Sequence, residues 1–292
     1  MRRVLALVLG SFVLLAGASV PAVGQTARGH LVIIGGGNRP PEIMQLIARL
    51  AGGDKGSLLV FPQASEVPET GPELEAEFRA LGLGKVTVVG TDRAGADTDA
   101  VLRQTEGATG VYFSGGDQAR LMAVLHGTRL ERRLHDLYRG GAVMSGTSAG
   151  AAVMSRVMIT GDERRPYKKD DNWQSIESDN VVTADGLGFL DDAIVDQHFM
   201  RRRRHNRLIS LVLERPTLLG IAIDEETATW VKPDRTFEVV GDGPVLVIDA
   251  AKATAVRDAA GHGLRGSDLR MHILRAGAQF NLDGRTVMRL GR

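Results

Sequence analysis

Short apolar runs alternate with stretches of helical spacing from residue 30 onward. The apolar runs predict β-strands over residues 31–34, 57–61, 85–89 and 110–113. Helical spacing is found over residues 41–50, 73–81, 98–104 and 118–125. Near-continuous apolar strands separated by helices are typical of a parallel sheet that is covered on both faces. The pattern therefore predicts a three-layer α/β fold, with a mostly parallel sheet and helices on both faces.

The last quarter of the chain has a different pattern, in which strand-like segments follow one another with short turns between them. These segments cover residues 227–231, 236–240 and 244–248. They predict a β-rich, antiparallel C-terminal extension after the last parallel strand. No repeat or Pro/Ser-rich linker interrupts the chain, so residues 25–292 are expected to form a single α/β domain.

The N-terminus has the pattern of a secretory signal peptide. Arg2 and Arg3 form a short positive region, and an apolar run over residues 4–16 follows. Small residues at Ala22 and Gly24 then suit cleavage before Gln25. The run is short for a membrane span, which needs about 20 residues. We therefore expect residues 1–24 to be removed and the mature protein to be exported, periplasmic or extracellular, with no membrane association.

Composition narrows the function further. The formal net charge is +1 and aromatic residues make up 4% of the chain, which gives no case for nucleic-acid binding. The chain has no cysteine, which excludes thiol nucleophiles and disulfides. No His or carboxylate cluster has metal-ligand spacing. The glycine loop at 35–37 does not fit a dinucleotide fingerprint, because Pro40 stands where that motif needs its third glycine. We expect no metal and no cofactor.

The segment from Gly146 to Gly150 has the pattern of a nucleophile elbow. It follows an apolar stretch and precedes a helix start rich in small residues. A serine on a sharp strand-to-helix turn needs small neighbours, because two backbones approach closely there. Ser148 is the candidate nucleophile, and the N–H of Ala149 is directed at a developing oxyanion. A strand–helix turn with a capping serine is the alternative interpretation.

A serine hydroxyl needs a base, and His198 stands out among the seven histidines because it ends the apolar strand 193–195. Chemistry in open α/β sheets lies at the carboxyl ends of strands. The strand 218–223 is followed by three acidic residues at 224–226, any of which could orient His198. The chain order Ser…His…acid differs from that of α/β-hydrolases and disfavours their fold.

Three further segments have open roles. The loop after residue 113 could supply an oxyanion N–H from Gly116 or Asp117, or it is a tight turn that Asp117 caps. Arg204 and Arg207 lie three apart on a predicted helix and share a face, which suits either a carboxylate-binding pocket or a solvated surface. The polar segment 160–185 predicts a surface loop that could face a substrate.

Four motifs in register resemble the cyanophycinase family of serine peptidases, relatives of α-aspartyl dipeptidase. They are FSGGDQ at 113–118, SGTSAGA at 145–151, DQHF at 196–199 with arginines after it, and GIAIDEETA at 220–228. The resemblance implies a fold similar to class I glutamine amidotransferases, with serine in place of their cysteine. It implies hydrolysis of cyanophycin, a poly-aspartate with arginine on each β-carboxyl, to β-Asp-Arg dipeptides, and also a homodimer.

The resemblance also implies roles for single residues. Ser148 would be the nucleophile, His198 the base and Glu225 the acid. Five residues would line the substrate pocket: Gln118, Asp196, Gln197, Arg204 and Arg207. The DDNW run at 170–173 matches no family pattern, which bears on the choice of substrate. Two alternatives stay open: a dipeptidase or isoaspartyl peptidase acting on short aspartyl peptides, and a catalytically silent binding protein on the same fold.

Overall fold

The computed structural model describes residues 29–166, 174–259 and 261–291. The predicted signal peptide and the DDNW run lie outside the described residues. Within them, the α-helices are α1 (Pro41–Leu50), α2 (Thr70–Ala80), α3 (Asp99–Gln104), α4 (Gln118–Leu125), α5 (Arg129–Arg139), α6 (Ala149–Ala152) and α7 (His205–Glu214).

The β-strands of the described residues are β1 (Leu31–Ile34), β2 (Ser57–Phe61), β3 (Lys85–Val88), β4 (Gly110–Phe113), β5 (Val143–Thr147), β6 (Val157–Glu163), β7 (Val181–Asp185), β8 (Ala193–Asp196), β9 (Leu219–Ile223), β10 (Thr227–Val231), β11 (Thr236–Gly241), β12 (Val245–Asp249), β13 (Thr254–Arg257), β14 (Leu264–Ser267), β15 (Arg270–Leu274), β16 (Gln279–Asn281) and β17 (Thr286–Arg289).

Nine strands form the central sheet in the order β17-β16-β11-β10-β1-β5-β4-β2-β3. The five strands from β1 to β3 in this order are parallel, and the four on the other side of β1 pair antiparallel. The predicted α/β class and the β-rich C-terminal extension are therefore confirmed. The relation to class I glutamine amidotransferases stays a prediction.

Both faces of the parallel strands are buried, as their apolar sequences predict. Leu31 and Ile33 of β1 belong to one buried cluster, while Val32 and Ile34 belong to another on the opposite face. The first cluster includes residues of α4 and α5, and the second includes residues of α1 and α2. Because side chains alternate across a strand, this division means that helices cover both faces of the sheet.

A second sheet, in the order β15-β12-β9-β8, holds the strands that precede the predicted base and acid. β8 and β9 are parallel, and β12 and β15 pair antiparallel beside them. The predicted strand 244–248 therefore belongs to this sheet and does not extend the first. Apolar periodicity identifies a strand but carries little information on its partner. Val195 and Ile221 of this sheet share one buried cluster with Met144 of the central sheet.

The prediction of a surface loop over residues 160–185 is wrong at both ends of the segment. β6 and β7 pair antiparallel there, with an irregular register between Ile159 and Glu163. Each strand begins with consecutive apolar residues, and Ile159 and Val181 are buried in one cluster with Leu208 of α7 and Ile248 of β12. The polar residues that suggested a loop lie between these two apolar positions.

Candidate active site

Ser148 lies on the turn between β5 and α6, as the elbow pattern predicts. Its backbone has φ 53° and ψ −107°, a conformation that costs about 1–3 kcal/mol for a residue with a side chain. A Cβ on Gly146 would lie 2.5 Å from the carbonyl oxygen of Gly150, and a Cβ on Gly150 would lie 2.3 Å from that of Phe113. The two glycines of the motif are therefore needed for the close approach that exposes the serine.

His198 contacts Ser148 on one side and Glu225 on the other. Nε2 of His198 lies 2.7 Å from Oγ of Ser148, and Nδ1 lies 2.6 Å from Oε1 of Glu225. An ionised carboxylate can only accept, so Nδ1 carries the ring proton and Nε2 presents its lone pair to the serine hydroxyl. The arrangement leaves the imidazole ready to take the hydroxyl proton.

The three consecutive acids after β9 have three different partners. Glu225 accepts from His198, whereas Oε1 of Glu226 accepts from Nδ2 of Asn38 at 2.8 Å. Oδ1 of Asp224 accepts from two backbone N–H groups, those of Met200 and Arg201, each at 3.1 Å. The structure thus distinguishes among residues that the sequence pattern alone left equivalent, and Asp224 holds the turn that follows the histidine.

The glycine loop after β1, residues 35–37, does not fit a dinucleotide fingerprint but packs against His198 and Glu225. A Cβ on Gly36 would lie 2.2 Å from Cε1 of His198, and a Cβ on Gly37 would lie 2.8 Å from Cβ of Glu225. Both glycines have positive φ, of 103° and 72°. The carbonyl of Gly35 also accepts the N–H of His198 at 2.7 Å. Sequence reasoning missed this role, although three glycines after a strand that neighbours the elbow strand were a signal for it.

Burial lowers the pKa of His198 below its ordinary value of 6.5. Its hydrogen bond to Glu225 raises this pKa, and the charges of Arg202 and Arg204 lower it again. Desolvation dominates because the ring is only 6% exposed. The net effect favours the neutral imidazole, which is the form that can act as a base at neutral pH.

A pocket of about 450 Å³ opens at Ser148 and His198. Gly115, Gly116, Tyr112, Ser114 and Thr147 contribute to its wall from β4, β5 and the loop after β4. Other lining residues, which the sequence analysis did not single out, come from the loops after β1 and β2 and from α2: Arg39, Ser65, Thr70, Glu73 and Leu74. Arg202, from the turn after His198, also lines it.

Two of the predicted pocket residues form a buried ion pair and do not line this pocket. Asp196 is 0% exposed and Arg207 is 2% exposed. Nε of Arg207 donates to Oδ2 of Asp196 at 2.8 Å, and Nη2 donates to Oδ1. The two arginines share Asp196, since Nη1 of Arg204 lies 3.9 Å from its Oδ1. Their shared face therefore points into the protein, because a buried carboxylate from β8 attracts it.

The other three predicted pocket residues also bind protein groups. Nε2 of Gln118 donates to the carbonyls of Ile159 and Thr160, at 2.9 and 2.6 Å, and so holds β6. Nη1 of Arg204 donates to the carbonyl of Gln197 at 2.8 Å. Burial, with Arg207 beside it, lowers the pKa of Arg204 to about 10, so the guanidinium stays charged at neutral pH. Arg204 therefore fixes the backbone of the residue before His198, and Gln118 fixes the β6 segment.

The helix predicted to hold both Arg204 and Arg207 begins later than expected, because α7 starts at His205 and Arg204 precedes it. His198 and Arg203 have positive φ, which interrupts a helix between them.

Of the predicted oxyanion donors, Asp117 does not fit. Its N–H donates to the carbonyl of Ala64 at 2.8 Å, and its side chain caps α4 through the N–H of Ala119. Asp117 therefore caps the start of α4, as the alternative interpretation has it, whereas Gly116 stays a predicted oxyanion donor. Gly116, with φ 135°, lines the pocket, and Ala149 begins α6 next to the serine. A Cβ on Gly115 would lie 3.5 Å from Cβ of Ser148. Gly115 therefore lies next to the serine, although the sequence analysis named only Gly116 and Asp117 from this loop.

The described residues contain no group of three or more His, Cys, Asp or Glu side chains that could hold a metal ion. Among the same residues, no helix combines the length and apolar character that a membrane crossing requires.

A serine, a histidine and a carboxylate joined in series by hydrogen bonds on an α/β scaffold are the arrangement used by serine hydrolases. The family model for peptidase family S51 matches residues 31–239, and the chain belongs to this family of serine peptidases. The resemblance inferred from the four motifs is thus confirmed. The protein is a hydrolase.

Curated relatives extend the likeness over most of the chain. A cyanophycinase of Synechococcus elongatus is 36% identical over 267 residues, which cover 87% of this chain and 80% of the relative. A cyanophycinase of Nostoc sp. is 34% identical over 273 residues, 90% and 89% of the two chains. The crystal structure of a peptidase from an acI-B1 Actinobacterium matches with a TM-score of 0.64 and 22% identity, covering 88% of this chain and 98% of that one. This structural match supports the fold.

Proposed function

We propose that the enzyme hydrolyses cyanophycin to β-Asp-Arg dipeptides, with Ser148 as nucleophile, His198 as base and Glu225 as the acid that orients it. The hydrogen-bonded series from Ser148 through His198 to Glu225, at 2.7 and 2.6 Å, is the observation that carries the proposal. The choice of cyanophycin as substrate rests on the likeness to two cyanophycinases, which align with most of the chain.

In the first half of the reaction, Oγ of Ser148 attacks the backbone carbonyl carbon of an aspartyl residue while Nε2 of His198 takes the hydroxyl proton. The negative charge moves to the carbonyl oxygen, which the N–H of Ala149 and the Gly115–Gly116 loop would hold. The carboxylate of Glu225 stabilises the imidazolium. The C–N bond then breaks, and His198 gives its proton to the leaving amine.

In the second half, water attacks the ester that joins the aspartyl residue to Ser148. His198 takes a proton from the water and returns it to Oγ of Ser148 as the ester C–O bond breaks. The products are two shorter chains, one with a new carboxylate and one with a new amine. The neutral form of His198, which its burial favours, is required at the start of each half.

The test uses purified protein that begins at Gln25, incubated with insoluble cyanophycin, with the products identified by mass spectrometry. Release of β-Asp-Arg by the parent and its absence with Ser148→Ala would support both substrate and nucleophile. A parent that cleaves only short aspartyl peptides would favour the dipeptidase alternative. Labelling of the parent by a fluorophosphonate, absent in Ser148→Ala, would exclude a silent binding protein.

Export is part of the proposal, because cyanophycin is an insoluble polymer that an exported enzyme would meet outside its own cell. The pattern of residues 1–24 carries it: a positive start, an apolar run and small residues before Gln25. Expression of the full chain should yield a secreted or periplasmic protein whose mature N-terminus is Gln25. Retention in the cytoplasm with an intact N-terminus would contradict it.

A further inference from the structure

The pocket that opens at Ser148 has three buried hydroxyls in its wall. Tyr112 is 0% exposed, Ser114 1% and Thr147 7%. Within the part of the chain that the structure describes, the oxygen of each of these side chains has no hydrogen-bond partner. Buried polar groups in folded proteins are almost always paired, so three unpaired hydroxyls in one wall indicate that water or a bound ligand pairs with them.

A cation faces the same pocket. Arg39 lines it from the loop after β1, and its side chain is 36% exposed. Nη2 of Arg39 donates to Glu77 at 2.7 Å, which uses one of the five N–H donors of a guanidinium. The remaining donors can serve a second acceptor. The planar fork of an arginine matches a carboxylate in two parallel hydrogen bonds.

The phenol of Tyr112 lies in the electrostatic field of Arg39 and Glu77. Burial raises the pKa of Tyr112 far above its ordinary value, so the hydroxyl keeps its proton and is available as a donor. Protonated hydroxyls together with a guanidinium make a wall that is rich in donors. These donors favour an anionic acceptor, while the carboxylates of Glu73 and Glu77, which act on the charge of Arg39, favour a cation next to it.

We propose that Arg39, Tyr112, Ser114 and Thr147 form a carboxylate subsite, which binds a free carboxylate of the substrate beside the scissile bond. This inference rests on the proposed function, since each repeat of cyanophycin carries the free α-carboxylate of its arginine. Glu73 lines the same pocket and supplies a negative charge for the guanidinium of that arginine. The subsite would therefore recognise a zwitterionic arginyl group.

The test compares two probes, a soluble trimer of β-Asp-Arg with free arginine carboxylates and the same trimer with those carboxylates amidated. Binding is measured by calorimetry in a Ser148→Ala background, and turnover is measured with Ser148 intact. We expect the Ser148→Ala protein to bind the free trimer about tenfold more tightly than the amidated one. Arg39→Gln and Tyr112→Phe should each remove most of this preference by weakening only the free trimer.

Two control variants match the changes. Arg79→Gln removes an exposed ion pair with Glu75 on α2, outside the pocket, and Tyr138→Phe removes a hydroxyl beside Phe189, away from the site. Both should keep the tenfold preference. Tyr112→Phe should also leave the thermal midpoint unchanged or raise it, because it removes an unpaired buried hydroxyl. A lower midpoint with an unchanged preference would indicate a structural role and overturn the inference.

The outcomes for the subsite and for the proposed function are separable. Equal binding of the two trimers to the Ser148→Ala protein, or no binding of either, would overturn the carboxylate subsite. A preference that survives in Arg39→Gln and Tyr112→Phe would overturn it as well. If the enzyme with Ser148 intact cleaves neither the trimer nor the polymer, the proposed function is wrong. The binding preference would still show whether the carboxylate subsite exists.

Discussion

Replacing Gly36 by alanine tests how the site is built, because it adds one methyl group beside the histidine. The new Cβ would lie 2.2 Å from Cε1 and 2.4 Å from Nε2 of His198. Ordinary contact begins at 3.4 Å, so the ring must retreat by about 1.2 Å. Gly36 also has φ 103°, a conformation that costs a residue with a side chain about 1–3 kcal/mol.

The displacement would act directly on the proposed catalytic pair. Nε2 of His198 lies 2.7 Å from Oγ of Ser148, and a retreat of this size takes the pair beyond hydrogen-bond distance. Misplacement of a catalytic group by about 1 Å can reduce the rate by about 100-fold. We therefore expect Gly36→Ala to lower kcat/KM on β-Asp-Arg oligomers by about 100-fold, and the rate of fluorophosphonate labelling by a similar factor.

Gly141→Ala is the matched control. Gly141 has φ 111°, close to that of Gly36, but a Cβ there would meet no atom within 4 Å. It follows α5, away from the residues that line the pocket. Gly141→Ala should lose about 1–3 kcal/mol of unfolding free energy in urea, and Gly36→Ala at least as much, because the contact with His198 adds to the backbone strain. Only Gly36→Ala should lose activity. If kcat/KM falls equally in the two variants, the loss comes from backbone strain and the argument from contact with His198 is wrong.

Three further predictions follow from the same geometry. The kcat/KM of the enzyme should fall toward acid pH with a midpoint below 6.5, because burial lowers the pKa of His198 and only its neutral form accepts a proton; a midpoint above 6.5 would contradict this. Glu225→Gln should lower kcat by roughly 10³- to 10⁴-fold at unchanged stability, since the amide no longer fixes the ring tautomer; steady-state kinetics that stay near parental values would exclude Glu225 as the orienting acid. Asp196→Asn should lower the free energy of unfolding in urea by about 3–5 kcal/mol, because it leaves the charge of Arg207 buried without its carboxylate, whereas Asp191→Asn, in an exposed pair, should change it by less than about 0.5 kcal/mol.

The local elements could be predicted from sequence because each depends on its own residues. The apolar runs at 31–34, 57–61 and 110–113 coincide with β1, β2 and β4, and the helix at 41–50 coincides with α1. The elbow was equally local, since the glycines around Ser148 are needed by the turn itself. The pairing of strands within the sheets could not be predicted in this way. Nothing in the periodicity of residues 244–248 says that this strand lies beside β9 instead of β11.

The pocket was harder to predict, because residues with the same chemistry have opposite surroundings. Arg39 and Arg207 are both arginines close to candidate catalytic motifs. Arg207 is nevertheless 2% exposed and paired with the buried Asp196, while Arg39 faces the pocket. Helical spacing placed Arg204 and Arg207 on one face without indicating which way that face points. The place of Tyr112 in the pocket wall could not be predicted for a similar reason. Tyr112 lies in an apolar run, where the sequence does not distinguish a pocket tyrosine from an aromatic residue of the core.

The order Ser…His…Glu along the chain follows from the two-sheet construction. The central sheet supplies Ser148 at the end of β5, and the second sheet supplies His198 and Glu225 after its parallel strands β8 and β9. The glycine loop after β1 joins them, since Gly35 accepts the N–H of His198 and Gly36 accepts that of Glu226. These backbone hydrogen bonds connect the loop after β1 to the segments that carry His198 and Glu225. The geometry of the proposed triad therefore depends in part on three glycines that carry no functional group. It should tolerate changes in the supporting arginines better than a single added methyl group at residue 36.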